Sequence, residues 1–245
     1  SKGISARVHA SLLGLYDNEK LKGPKKGEDT KVSWDVVDKE IAEQLNSISA
    51  KGGAIRIISS TILSPSTKSV IADFTTKFPT TKHISYDANS AAAIVKGNEL
   101  SFGKAILPSY DFSKAKLIVG IDADFLGTWI APETFSSQFA DTRRVGSGKD
   151  SNKEMSRLYQ FESILSLTGS NADYRTAIKP SQAGLVVTAL YNKVAAKLGG
   201  KSISSAAIEV ANLDKAANEL VAAKGQALVV SGVNDPAVQV VVNAL

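Results

Sequence analysis

The chain of 245 residues contains no cysteine. That excludes disulfides, a thiolate nucleophile, cysteine-held zinc and cysteine-held iron–sulfur clusters within these residues. It does not report the compartment, because reducing and oxidising settings both allow it. Histidine is almost as scarce: His9 and His83 are the only two, far apart and in no HExxH-like spacing. No GxSxG elbow is present for a hydrolase triad, and no GxGxxG for an ordinary NAD site. No apolar run approaches the ~18 residues that cross a bilayer, so no membrane span is expected. Ser1 opens into a polar, mildly basic stretch without the apolar core of a signal peptide. The formal charge is +5, and part of the excess lies in Ser1–Lys31, where seven Lys/Arg stand against four Asp/Glu. Tyr16 is the sole aromatic there, whereas nucleic-acid binding wants a basic stripe with stacking rings. A solvated surface and no nucleic acid is the expectation.

What is present has the balance of a globular protein, 43% apolar and 22% charged. At this length that is enough for one large α/β core or two small ones. A three-part unit recurs: a short apolar run, a small loop containing proline, then an amphipathic helix. It appears as Ala54–Ser60, Ser64–Pro65 and Thr67–Phe78; as Leu117–Ile121, Asp122–Pro132 and Glu133–Phe139; and as Ala227–Ser231, Gly232–Pro236 and Ala237–Leu245. Each proline falls where the first helical turn should begin, its tolerated place, since the amide it lacks would be unpaired anyway. Ser64 and Asp235 stand ready as N-caps. The apolar runs are continuous, as for parallel strands covered on both faces. Helices are predicted at Trp34–Leu45 behind Ser33, with a Val37, Ile41, Leu45 stripe, at Gln182–Leu198 ended by Gly199–Gly200, and at Leu213–Ala223. His83–Tyr86 and Leu158–Leu165 are further strand candidates. Strands alternating with helices argue for a doubly wound, mostly parallel α/β architecture. The polar stretch Thr142–Lys153 suggests a boundary, giving a lead-in over residues 1–31, a first α/β lobe over 32–144 and a second over 153–245. Asp235–Leu245 stops within a helical pattern and Gly3–Leu15 starts without an initiator methionine, so an internal piece of a longer polypeptide is expected.

In parallel α/β sheets, ligands sit beyond the carboxyl ends of the strands, near helix N-termini. Three loops qualify: Ser59–Ser66, Asp122–Trp129 and Ser231–Asp235. Asp122 and Asp124 could share one face and accept hydrogen bonds from a ribose or a base, or be ordinary solvated turn residues. Gly232–Asp235, with Asn234 between, could approach a phosphate or sugar, or form a tight strand-to-helix turn capped by Asp235. Gly146–Ser151 has the look of a phosphate loop but fails it: Arg143 stands where the first glycine belongs, and Asp150 follows the lysine. Glu154 and Glu162, with Arg157 between, are expected in surface or inter-lobe ion pairs. Nothing assembles an acid, a base and a nucleophile, so no catalytic residue and no metal ligand is expected.

Several segments resemble the bis-molybdopterin-guanine-dinucleotide (bis-MGD) oxidoreductases, over essentially the whole chain. His9–Pro24 (HASLLGLYDNEKLKGP) is similar to that family's lead-in, Ser33–Leu45 (SWDVVDKEIAEQL) to its "SWeeAldxIAxkL" helix, Gly120–Asp124 to its strand-end nucleotide loop, and Ile178–Gln182 (IKPSQ) to its "i(K/R)PGtD" turn. The combination STILSPST, DADFLGTW, QFES, SLTGSNAD and IKPSQ resembles, more narrowly, the large iron–sulfur, molybdopterin-like subunit of bacterial alternative complex III, a membrane-bound quinol oxidoreductase. The resemblance implies two α/β lobes of molybdopterin-oxidoreductase type.

The departures carry as much as the match. Catalytic members follow the turn's proline with glycine, threonine and an aspartate that contacts guanine; here Ser181, Gln182 and Ala183 follow Pro180, so that carboxylate is gone. The residue that would ligate molybdenum has no counterpart either. Asp122, Asp124, Pro180, Ser181, Gln182, Gly232, Asn234 and Asp235 then mark an inherited nucleotide site with no cofactor expected in it. The resemblance implies a non-catalytic scaffold in respiratory electron transfer, on the periplasmic side of the bacterial inner membrane. Its partners would be haem and quinol-binding subunits, and iron–sulfur clusters would lie in a separate domain of the same polypeptide. The alternative is part of a catalytic bis-MGD molybdenum enzyme of the polysulfide or thiosulfate reductase kind. A free-standing nucleotide-binding module is a third reading.

Overall fold

Residues 3–27, 30–144 and 154–245 are described by a computed structural model of the chain. They form two compact units: Ala6–Ala88, and Asn89–Leu245 together with the residues leading to Ser5.

The smaller unit starts with helix α1 (Ala6–Ser11), a 3-10 turn, and a two-residue antiparallel ladder of β1 (Lys25–Lys26) and β2 (Thr30–Lys31). Helix α2 (Trp34–Ala50) runs a turn beyond its predicted end, and Gly52, at φ +67°, reverses the chain behind it. Ser33 takes the N-cap position without a side-chain bond. Of the predicted stripe, Val37 and Leu45 are half-buried and Ile41 stays exposed. Strands β3 (Ile55–Ser59) and β4 (Thr81–Ser85) pair in parallel, joined by α3 (Pro65–Lys77). Ser64 Oγ accepts from Thr67 N–H at 3.3 Å, with Pro65 in the first turn, as the sequence predicts.

The larger unit contains α4 (Ala92–Phe102), β5 (Leu117–Ile121), α5 (Pro132–Arg143), β6 (Arg157–Glu162), α6 (Leu167–Ser170), β7 (Tyr174–Ala177), α7 (Ala183–Leu198), α8 (Leu213–Ala222), β8 (Ala227–Ser231) and α9 (Pro236–Ala244). Its four strands are all parallel, in the order β7-β6-β5-β8. The sheet is therefore doubly wound: the chain starts at β5, steps outward through β6 to β7, then returns to the other side of β5 as β8. Leu117, Val119 and Ile121 of β5, with Tyr159 and Phe161 of β6, pack against Val186, Val187 and Leu190 of α7 and Leu213, Ala216 and Leu220 of α8. The alternate residues, Ile118 and Leu158, pack with Phe112, Phe125, Phe135 and Phe139 on the α5 side. Every residue of β5 is buried, which is why its sequence is apolar without alternation. Each fully buried apolar side chain contributes roughly 1.5–3 kcal/mol, so these two layers supply most of what holds the sheet.

Two expectations are corrected. The units meet at Ala88 and Asn89, not between residues 144 and 153, because β5 and β6 lie on either side of that stretch and pair along their whole length. The expected boundary, and all but the first three residues of the glycine-containing stretch Thr142–Lys153 with its Gly146–Ser151 segment, lies outside the described residues. Strand β6 also stops at Glu162 instead of reaching Leu165. The Ser163 N–H leaves the ladder and donates to the Asp122 carboxylate.

A bidentate ion pair closes the amino end of the sheet. Arg143 Nη1 and Nη2 lie 2.7 and 2.9 Å from the two oxygens of Asp173, which also accepts from Leu158 N–H at 2.8 Å. Burial opposes the ionised carboxyl, but the Arg143 and Leu158 bonds more than offset it and hold Asp173 below its ordinary 3.8. A depressed folded-state value contributes stability that is present above the unfolded value and lost as pH falls through the folded one. Asp173→Asn is therefore expected to cost about 1–2 kcal/mol at neutral pH. In urea unfolding followed down to about pH 3, the gap between variant and wild type should narrow; a gap independent of pH would rule out an ionised Asp173 as its source.

Candidate functional site

The sheet of the larger unit has its topological switch point between β5 and β8, where successive connections leave in opposite directions. Ligands of such sheets bind beyond the carboxyl ends of those two strands. The loops that meet there are 122–131 after β5 and 232–235 after β8, with 163–166 after β6 alongside.

Asp122 follows β5 in a left-handed conformation at φ 49°, which turns its carboxylate toward the neighbouring strand. Its Oδ1 accepts from the Ser163 N–H at 2.9 Å and the Ser163 hydroxyl at 3.1 Å. Asp124 does the same with Thr168: Oδ1 accepts from the amide at 3.0 Å and the hydroxyl at 2.8 Å. A third acid, Glu162 at the end of β6, is 2% exposed. It accepts from Ser166 N–H at 3.2 Å and Ser166 Oγ at 2.5 Å, and from Arg175 Nε at 2.5 Å. Three carboxylates at the strand ends thus each take one amide and one hydroxyl from a single loop. Gly169 completes the closure, since a Cβ there would lie 1.8 Å from Glu162 Oε1.

Gly232 lies against the other flank of the same place. Its N–H donates to Ile121 O at 2.9 Å, and a Cβ on it would come within 2.0 Å of Asp122 O. The glycine is small because the chain's own backbone comes close. Asn234 Oδ1 accepts from Ala93 N–H at 3.1 Å, capping α4 from across the unit, and Asp235 Oδ1 caps α9 through Ala237 N–H at 2.8 Å. Pro180 and Ser181 are exposed in a 3-10 turn, and Gln182 Oε1 accepts from Lys179 N–H at 2.9 Å. Ala183, at the position where the sequence resemblance would put a guanine-contacting acid, is 3% exposed in the core.

The fold therefore brings Asp122, Asp124 and Gly232 together, with Asn234 and Asp235 close by in the same loop cluster. The turn Pro180–Gln182 follows β7 and the 232–235 loop follows β8, strands at opposite edges of the sheet, but the helices they open pack together, and a Cβ on Gly184 would lie 3.2 Å from the Val238 side chain. Tested against a guanine dinucleotide, the residues do not fit it. The carboxylates are bonded within the chain, the glycine faces backbone, and the turn expected to hold the base carries no acid.

Sequence reasoning placed Glu162 among surface or inter-lobe ion pairs. It is instead buried within one unit, because Arg175 follows on the neighbouring strand β7. Glu154 pairs with Lys116 at 3.5 Å and Arg157 with Glu219 at 2.9 Å. The signal that could have found the closure is the spacing Ser163, Ser166, Thr168 after a strand-end acid. In the smaller unit His83 Nε2 lies 2.8 Å from Ser59 Oγ, a cross-strand pair that the parallel register makes. The Ser59 hydroxyl bonds to Ser60 O at 2.7 Å, so its proton is directed away from the imidazole. Among the described residues no group of three or more His, Cys, Asp or Glu is placed to hold a metal. A cavity of ≈ 720 Å³ opens at the amino end of β5 and β6, opposite the switch point, and is walled by the Arg143–Asp173, Arg157–Glu219 and Lys116–Glu154 pairs.

No family model and no curated protein sequence matches the chain. Among solved structures it is similar to acetylene hydratase from Pelobacter acetylenicus, at 16% sequence identity and a TM-score of 0.56, over 92% of this chain and 34% of that one. The chain thus spans about a third of the length of that structure. At such identity the likeness speaks to the fold alone. The fold is α/β with parallel sheets, and it is shared with that structure.

Proposed function

We propose that this chain is a non-catalytic, molybdopterin-oxidoreductase-like scaffold segment of a membrane-bound quinol oxidoreductase, the alternative complex III of bacterial respiratory chains. The observation that carries the reading is the engagement of Asp122, Asp124 and Glu162 by the single loop 163–168. Acids that a nucleotide site would present to its ligand are spent on the chain's own hydroxyls and amides. In this reading electrons from quinol pass through haem groups of partner subunits and iron–sulfur clusters in another domain of the same polypeptide. These 245 residues hold that cluster-bearing domain and the partners in place, on the periplasmic side of the inner membrane. No helix among the described residues is long and apolar enough to cross a membrane, and the attachment proposed is through partners.

The likeness to an enzyme, acetylene hydratase, favours a second reading, in which the chain is part of a catalytic bis-MGD oxidoreductase whose remaining domains carry the metal ligand. Elemental analysis and pterin extraction on the intact purified protein separate the two. The scaffold reading expects molybdenum, tungsten and pterin each below about a tenth of an equivalent, since metal held in a built site is bound tightly enough to survive purification. Stoichiometric metal and pterin would establish the second reading in its place. Saturable calorimetric binding of a guanine nucleotide by the cofactor-free protein would count against both and for a nucleotide-binding module.

A further inference from the structure

Helices α2 and α3 of the smaller unit bury no residue fully, and Phe78 is the only buried apolar side chain among that unit's described residues. A unit this long that buries one phenylalanine cannot offset the entropy of ordering its own chain. The larger unit, by contrast, fills a layer on each side of its sheet with its own helices. In the smaller one, Ile58 is 73% exposed and Ile84 45%, and the parallel register makes them neighbours on one face of the β3–β4 pair. Parallel sheets carry cover on both faces, and this face has none. Two strands also leave an unpaired row of backbone groups on each side, short of the three or more that stand by themselves. What is missing is therefore a part of the fold, and not a partner for a patch on a finished one.

We propose that a further parallel strand pairs with the free edge of β3, that its connecting helix covers Ile58 and Ile84, and that both come from a part of the same polypeptide outside residues 1–245. The edge is assigned from composition. Ile55, Ile57 and Ile58 give β3 the apolar character of an internal strand, whereas β4 carries Lys82 and His83, as strands left at an edge do. The charged side chain of β3, Arg56, is drawn toward β4, donating to Thr80 O at 3.2 Å. The occupant is assigned from the likeness to the solved structure, which takes in 92% of this chain, and so most of the smaller unit, but only 34% of that one. There a fold like this one is embedded in a much longer single polypeptide. A second copy does not meet the need: two β3 edges pairing about a twofold axis normal to the sheet run antiparallel and bring no helix to the open face. The inference holds for a scaffold and for an enzyme segment alike.

The test uses the intact protein isolated from its own cells. A photo-cross-linking residue in place of Ile58 is expected to join the chain to a segment of the same polypeptide outside residues 1–245. Mixing isotopically light and heavy protein separates a cross-link within one molecule from one between copies. If that variant fails to fold, an amine-reactive cross-linker on Lys82 of the wild type, which shares the open face with Ile84, decides in its place. In hydrogen exchange, the amides of Ile55–Ser59 that β4 leaves unpaired are expected to exchange about 100-fold or more slower than those of an open chain. Cross-links to a second copy, to another subunit or only to residues 1–245 overturn the proposal. So do open-chain exchange rates along β3, and so does an intact polypeptide no heavier than the 25.8 kDa of these residues. Metal and pterin content, which separates the scaffold from the enzyme segment, is independent of all these outcomes.

Discussion

Replacing Arg175 by methionine is expected to cost about 3 kcal/mol of stability at neutral pH, because it leaves a buried carboxylate without its cation. Glu162 is 2% exposed while the Arg175 side chain is 30% exposed. The two partners are therefore not equivalent. Glu162→Gln should cost nearer 1 kcal/mol: glutamine still accepts from Ser166, and the guanidinium left behind can reach water. Making both changes should recover most of the loss, a coupling of about 2 kcal/mol in a double-mutant cycle read by urea unfolding. A single Arg175 variant within about 0.5 kcal/mol of wild type would show that water reaches Glu162, and the closed loop described above would be wrong. The result bears on function, because a carboxylate held for a ligand would be expected to lose little when its structural partner is removed.

Gly232→Val is expected to have a comparable effect, about 3 kcal/mol or more, because what its side chain would meet is backbone. A Cβ there falls 2.0 Å from Asp122 O, 2.9 Å from its carbonyl carbon and 3.3 Å from Ala123 Cα. None of these atoms can swing aside as a flexible side chain would, so the β5 and β8 loops must part and the Gly232 N–H bond to Ile121 O is strained. Gly14→Ala, where no atom lies within 4 Å, is the control and should stay within about 0.5 kcal/mol of wild type. Thermal unfolding of the two variants decides between two meanings of this glycine. If it is small so that a phosphate can approach, the valine variant folds normally and loses only ligand binding. If it is small because two loops of the chain touch, stability falls whether or not any nucleotide is present.

The recurring strand–proline–helix unit was legible because its determinants are local. Pro65, Pro132 and Pro236 each occupy a first helical turn, and Ser64 and Asp235 cap as their residue types suggest. Strand β5 was legible because burial on both faces leaves an unbroken apolar run. Strand β7 (Tyr174–Ala177) was not, since four residues, YRTA, with only Thr176 buried carry no period. Helix α4 was missed for a related reason. Its buried face includes Gly97, whose Cβ would meet the Gln239 side chain of α9 at 2.6 Å, so its packing depends on a helix more than a hundred residues away.

The sequence by itself determined the α/β class, the lack of any cysteine chemistry, the missing acid after Pro180 and, through its resemblance, the fold type. Those follow from composition, from periodicity and from residues read one position at a time. Only the tertiary structure decided the condition of the strand-end loops. Whether Asp122 and Asp124 faced a ligand or water stayed open in the sequence; they face Ser163 and Thr168, more than forty residues on. The turn at Pro180–Gln182 and the loop at Gly232–Asp235 follow strands at opposite edges of the sheet, yet the helices they open, α7 and α9, pack together. The physical reason is the same in each case: strand order and register fix which loops are neighbours, and they are set by burial and backbone pairing across the whole unit, which no local stretch of residues encodes.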